Sequence, residues 1–173
     1  MRFGDFLRAT VLLSAGCATL LATLTVLGIT REDDRVLIYV TAGWWVAAVA
    51  IGVALGARAD TSPPIARLLA DARAQSSLPE LHPGGTLVNR LWPLLLATVG
   101  AGAAAFVEPQ VASVAAGFTI IWALAWRRQE RAVLAIEERD GVRFYVARTS
   151  PFSPIRLIRT PGFAGDYLSR SSA

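Results

Sequence analysis

Residues able to do chemistry are few in this 173-residue chain, and they are not grouped. Histidine and cysteine occur once each, as His82 and Cys17. A protein metal site draws three or four ligands from histidine, cysteine and carboxylates, and no such cluster is spelled here. His82 stands in Leu81-His82-Pro83-Gly84-Gly85, where it reads as a solvated turn residue rather than a ligand or proton shuttle. Cys17 has no partner for a disulfide and reads as a small packing residue. Leu13-Ser14-Ala15-Gly16-Cys17 loosely resembles a lipoprotein cleavage box, but the apolar run continues well past the cysteine, unlike a signal peptide. Paired acids occur at Asp33-Asp34, read as a turn, and at Glu137-Glu138, read as a strand residue and its exposed neighbour. With no glycine-rich phosphate loop either, the expectation is a non-enzymatic protein with no catalytic residue, metal or cofactor.

The elements that must position these residues are more legible. Four apolar runs without a charge, 9–30, 36–57, 91–107 and 109–126, are bounded by Arg8 and Arg31, Arg35 and Arg58, Arg90 and Glu108, and Glu108 and Arg127. A helix crossing the bilayer core needs about 20 apolar residues, roughly 17–25. Soluble helices carry charges on one face, and these runs carry none. Apolar residues make up 54% of the chain, and its mean hydropathy is +0.47. The sequence therefore predicts an all-α integral membrane protein of four transmembrane helices in two antiparallel hairpins, with a small cytoplasmic β-hairpin tail. Residues 1–130 form the membrane domain and 131–173 the arginine-rich tail. The third and fourth runs are short enough to admit a re-entrant hairpin, although full spanning is the preferred reading.

All 17 basic residues are arginine. With abundant alanine, this suggests a GC-rich bacterial genome. Fifteen arginines lie in the amino-terminal segment, the central loop and the stretch after the fourth run, against Arg31 and Arg35 in the acidic first turn. The positive-inside rule then places both termini and the loop in the cytoplasm, with the chain in a bacterial inner membrane. In the loop 58–90, Ser62, Pro63 and Pro64 can start a short amphipathic helix over 63–75. Ile65, Leu68, Leu69 and Ala72 would form its apolar face, lying on the membrane surface. In the tail, Val133–Glu138 and Val142–Ala147 flank Asp140-Gly141, which predicts a β-hairpin. Ile155, Leu157 and Ile158 suggest a third extended segment.

Within the helices, small residues recur every fourth position: Ser14, Ala18 and Ala22; Ala48, Gly52 and Gly56; Ala97, Ala101 and Ala105; Ala112 and Ala116. Such spacing lets helix backbones approach closely, within one bundle or between subunits. Trp92 and Trp126 fit an interfacial aromatic belt, whereas Trp44 and Trp45 lie mid-run and offer a wall for a lipid tail or apolar ligand. Arg127, Arg128 and Arg131 follow the fourth run at headgroup level, and Arg143, Arg148, Arg156 and Arg159 could form a surface for headgroups or an acidic partner. Five acids interleaved among the arginines after the fourth run argue against nucleic acid. The expected partners are membrane lipids and either further copies of the chain or a larger membrane complex. The leading reading is an accessory or interaction subunit docking through its loop and tail. A homo-oligomeric pore for small solutes is the alternative, and a lipid-handling protein the weaker third.

Overall fold

The computed structural model describes residues 1–32, 35–57, 61–74, 83–147 and 153–161. It is mostly helical. The elements run α1 (Phe3–Glu32), α2 (Arg35–Leu55), α3 (Pro63–Ala70), β1 (Arg73–Ala74), α4 (Pro83–Ala104), α5 (Pro109–Trp126), α6 (Gln129–Asp140), β2 (Val142–Val146) and β3 (Leu157–Pro161). Among the described residues four helices, α1, α2, α4 and the helix beginning at Pro109, are long and apolar enough to cross a membrane.

Helix boundaries follow local chemistry. Pro109 opens α5 at a position where a missing N–H costs nothing, after Glu108 in extended conformation. The α1 helix begins at Phe3, six residues before the uncharged run, because Asp5 and Arg8 are harmless in a helix and expensive only in lipid. The α4 helix likewise begins at Pro83 and carries Pro93 internally. His82 and the Asp33-Asp34 turn lie outside the described residues.

Helix α5 is the hub. Both α1 and α2 pack along it extensively and make little contact with each other, although they are close neighbours in sequence. The α4 helix packs on α1 and α5. Directions follow from the contacts. A β-carbon added at Gly28, late in α1, would lie 2.7 Å from Pro109 at the start of α5, so those two helices are antiparallel. Thr41 early in α2 bonds Ser113 early in α5, while Gly56 abuts Leu124 late in α5, so α2 and α5 run parallel. The first pair of helices is thus opened by α5 rather than closed as a tight hairpin.

A second core closes one end of the bundle. Phe3, Phe6 and Leu7 of α1 meet Ile65 of α3, Leu91 of α4, Val133 of α6, and Val142, Phe144, Val146 and Leu157 of the sheet. Three strands lie in the order β1-β3-β2, with β1 parallel and β2 antiparallel to β3. The amino terminus extends this sheet: Arg2 bridges Tyr145, and the Val146 N–H donates to the Met1 carbonyl at 3.0 Å. This capped end therefore draws on the amino terminus, the central loop and the tail together.

Two expectations are corrected here. Residues 133–138 are helical, not the first strand of a hairpin. Gly141, at φ 61°, is the left-handed residue that ends α6, with its N–H donated to the Glu137 carbonyl. The β-hairpin is formed instead by β2 and β3, across the segment from Ala147 to Arg156. The loop helix also exists but ends at Ala70, and its apolar face does not lie free. Ile65 is buried in the cap core, and Leu68, Leu69 and Ala72 pack against that core.

Candidate functional site: the α2–α5 seam and the arginine-bearing cap

The small-residue positions sit where backbones meet. Ala48, Gly52 and Gly56 line the seam between α2 and α5, and each is buried. A β-carbon on Gly52 would fall 2.8 Å from the Leu124 side chain and 3.1 Å from the Ile121 backbone. Gly56 sits directly against the Leu124 carbonyl. Ser14 and Ala18 are buried on α1, and Ala22 packs against the cluster of Leu21, Ala112 and Ala116. Ala97 is exposed, whereas Ala101 and Ala105 touch that cluster.

Trp44 and Trp45 both turn toward α5. Their indole N–H groups donate to the backbone carbonyls of Val114 at 3.3 Å and Ser113 at 3.1 Å. Trp44 lies edge-on to Phe118 with centroids 5.5 Å apart. Its ring occupies the space a side chain would need at Gly117. Trp44 is therefore a seam residue, while Trp45 also borders an open groove with Val46, Val49 and Ile120. Beside them, the Ser113 hydroxyl and the Thr41 hydroxyl are 3.2 Å apart in a buried hydrogen bond. Sequence reasoning missed Gly117 and the Thr41–Ser113 pair, because a single glycine or hydroxyl in an alanine-rich run carries no spacing signal.

The arginines do not form one surface. The Arg128 guanidinium donates to the Ala57 carbonyl at 2.9 Å and so caps the exit of α2. Arg127 holds a buried Nε with no hydrogen-bond partner, and Arg131 is exposed on α6. Antiparallel partners share a sheet face, so Arg159, opposite Phe144, and Arg143, opposite the buried Thr160, lie on different faces; Arg159 is exposed and Arg143 half-buried. Arg156 is exposed before β3, and Arg148 lies outside the described residues.

On the face that carries Arg143, pairing sets Arg2, the buried Tyr145, Ile158 and Arg73 in a row across the sheet. Arg143 lies two residues along β2 from Tyr145 on that face. Arg2 and Arg73 are exposed, and Arg143 is half-buried. Three distant segments of sequence thereby supply one cationic face. Among the described residues the ion pair within 4.0 Å is Arg139–Asp140, so these three guanidinium groups have no carboxylate at that distance.

Two buried polar groups tie α6 into the cap. The Gln129 amide oxygen accepts the Ser62 N–H at 2.9 Å, and the Glu137 carboxylate accepts the Phe144 N–H at 2.8 Å. Burial pushes the Glu137 carboxyl above its usual range, while the Phe144 hydrogen bond and the charges of Arg143 and Arg2 oppose the rise. Glu137 was read as a strand residue from sequence; it is instead the third buried position, after Gln129 and Val133, of an amphipathic helix. Among the described residues no three histidine, cysteine or acidic side chains gather as a metal site would require.

No protein-family model matches the chain, and neither the curated proteins nor the solved structures contain a significant match.

Proposed function

We propose that this chain is a multi-pass bacterial inner-membrane protein acting as a non-enzymatic accessory or interaction subunit. Its four apolar helices anchor it, and its capped end is the docking platform. The arginine bias supports a cytoplasmic position for that end and both termini. The observation that carries the reading is the Arg2–Arg73–Arg143 face. It combines the amino terminus, loop and tail, and among the described residues none of its guanidinium groups has a carboxylate within 4.0 Å, the buried Glu137 acting on Arg143 and Arg2 from beyond that distance. Arginines presented on a sheet without a close ion pair suit an acidic partner, since electrostatic complementarity sets specificity and association rate.

The test is native mass spectrometry of the protein extracted in mild detergent from its own membrane. The reading expects a complex with a different protein. That complex should be lost from the Arg2→Gln, Arg73→Gln, Arg143→Gln triple variant and retained by Arg31→Gln at the opposite end. A defined homo-oligomer indifferent to the triple substitution would overturn it and favour the pore.

A further inference from the structure

Because α5 separates α1 from α2, the bundle has a concave flank rather than a closed surface. Two concavities share Ile120 of α5 as their floor. One, about 490 Å³, is walled by Ala18, Thr19, Ala22, Thr23, Val26 and Leu27 of α1. The other, about 350 Å³, is walled by Trp45, Val46 and Val49 of α2. Their polar atoms are already engaged. The Thr19 and Thr23 hydroxyls donate to the carbonyls of Ala15 and Thr19 on their own helix, and the Trp45 indole donates to Ser113. What remains toward the groove is hydrocarbon.

The helical period extends this groove to the basic end. Arg8 precedes Thr19 by eleven residues, close to three full turns, so it lies on the same stripe of α1 about 16 Å along the axis. Leu12 and Ala15, between them on that stripe, are exposed. On α5, Arg127 follows Ile120 by seven residues, close to two turns and about 10 Å. The groove's two main helices thus each present an arginine at the same end. Arg8 is exposed, and Arg127 has a buried Nε without a hydrogen-bond partner.

We propose that this flank is a binding site for an anionic diacyl phospholipid, with an acyl chain over Ile120 and the headgroup phosphate held by Arg8 and Arg127. Charge complementarity selects the occupant. An apolar groove alone would accept any lipid tail or helix, whereas two guanidinium groups at its mouth favour a phosphodiester at the depth where headgroups lie. The inference goes beyond the docking role and does not use the Arg2–Arg73–Arg143 face.

The delipidated full-length protein in mild detergent would be titrated with phosphatidylglycerol and with phosphatidylcholine of the same chains, and read by native mass spectrometry. One phosphatidylglycerol per chain should bind at least ten-fold more tightly than phosphatidylcholine. Arg8→Gln with Arg127→Gln should erase that preference, while Arg156→Gln keeps it. Thr23→Phe, at an exposed position on the groove wall, should weaken both lipids ten-fold. For the unaltered protein, phosphatidylglycerol with six-carbon chains should bind at least ten-fold more weakly than the long-chain form. Equal binding of the two headgroups, preference surviving the double substitution, or indifference to chain length would overturn the proposal. So would a lipid-free dimer dissociated by Thr23→Phe, which would assign the groove to a second copy.

Discussion

Glu137 is the residue whose environment is least comfortable. Its carboxylate is buried, accepts a single backbone N–H from Phe144, and sits near Arg143 and Arg2 without an ion pair within 4.0 Å. Desolvation raises its folded pKa above the ordinary carboxylate value of about 4.3. Below the unfolded pKa both states are protonated and the contribution to stability is full. As pH rises through the raised folded pKa, the native state gives up a proton that the unfolded state has already lost, and stability falls. Glu137→Gln keeps an acceptor for Phe144 and removes the charge. It should therefore melt a few degrees higher than the unaltered protein at pH 7, with the difference vanishing near pH 4. Parallel melting curves at pH 4 and pH 7 would show that the carboxylate is not desolvated. Gln129 makes the same structural point without a charge, through its bond to Ser62. Both residues were illegible in the sequence for one reason. A buried stripe of glutamine, valine and glutamate does not look apolar, so the helical period of α6 is hidden.

At the scale of elements, legibility followed the charges. The runs ending at Arg31, Arg58 and Arg127 gave α1, α2 and α5 nearly at their observed ends, because lipid-compatible helices stop where ionisable groups begin. Outside the apolar spans that rule is silent, so α1 and α4 start earlier than their runs. The misread strand at Val133–Glu138 has a similar physical origin. Asp140-Gly141 serves a hairpin turn and a helix carboxy-terminal cap equally well, since both need a residue at positive φ. Only packing of Val133 against Phe3 and Phe144 in one core decides between them. Which helix accepts the Gly52 and Gly56 notch could not be read, because small-residue spacing advertises a close approach without naming its partner. Here the partner is α5. Gly52→Leu must therefore push against Leu124 and the Ile121 backbone within the same chain. It should cost about 1–3 kcal/mol or more of stability. Loss of the Trp44 and Trp45 hydrogen bonds to α5 should shift tryptophan emission. A variant with unchanged melting that merely lost oligomers would move the Gly52 contact to a subunit interface.

The molecule as a whole combines two cores of different kind. Between the helices, small residues close the α1–α5 and α2–α5 seams, the second also joined by the Thr41–Ser113 hydroxyl bond and the two indole hydrogen bonds, the kind of packing that suits association in lipid. At the capped end, large side chains such as Phe3, Phe6 and Phe144 form a core of the water-soluble type. The cap is stapled by strand pairing among the amino terminus, β1, β3 and β2. Met1 and Arg2 pair with Val146 and Tyr145, so the cap joins the start of the chain to its last strands. That union was beyond the sequence because its strands are short and widely separated along the chain.

Four helices crossing a bilayer with the capped end inside underlie both the docking platform and the lipid site. Cysteine accessibility tests this directly, in a Cys17→Ser background carrying single cysteines at Arg31, Ser62, Val107 or Arg131. An impermeant maleimide applied to intact right-side-out membranes should label positions 31 and 107, and reach 62 and 131 only after permeabilisation. Labelling of 62 or 131 in sealed membranes would contradict the account, and protection of 107 would show that α4 and α5 form a re-entrant pair.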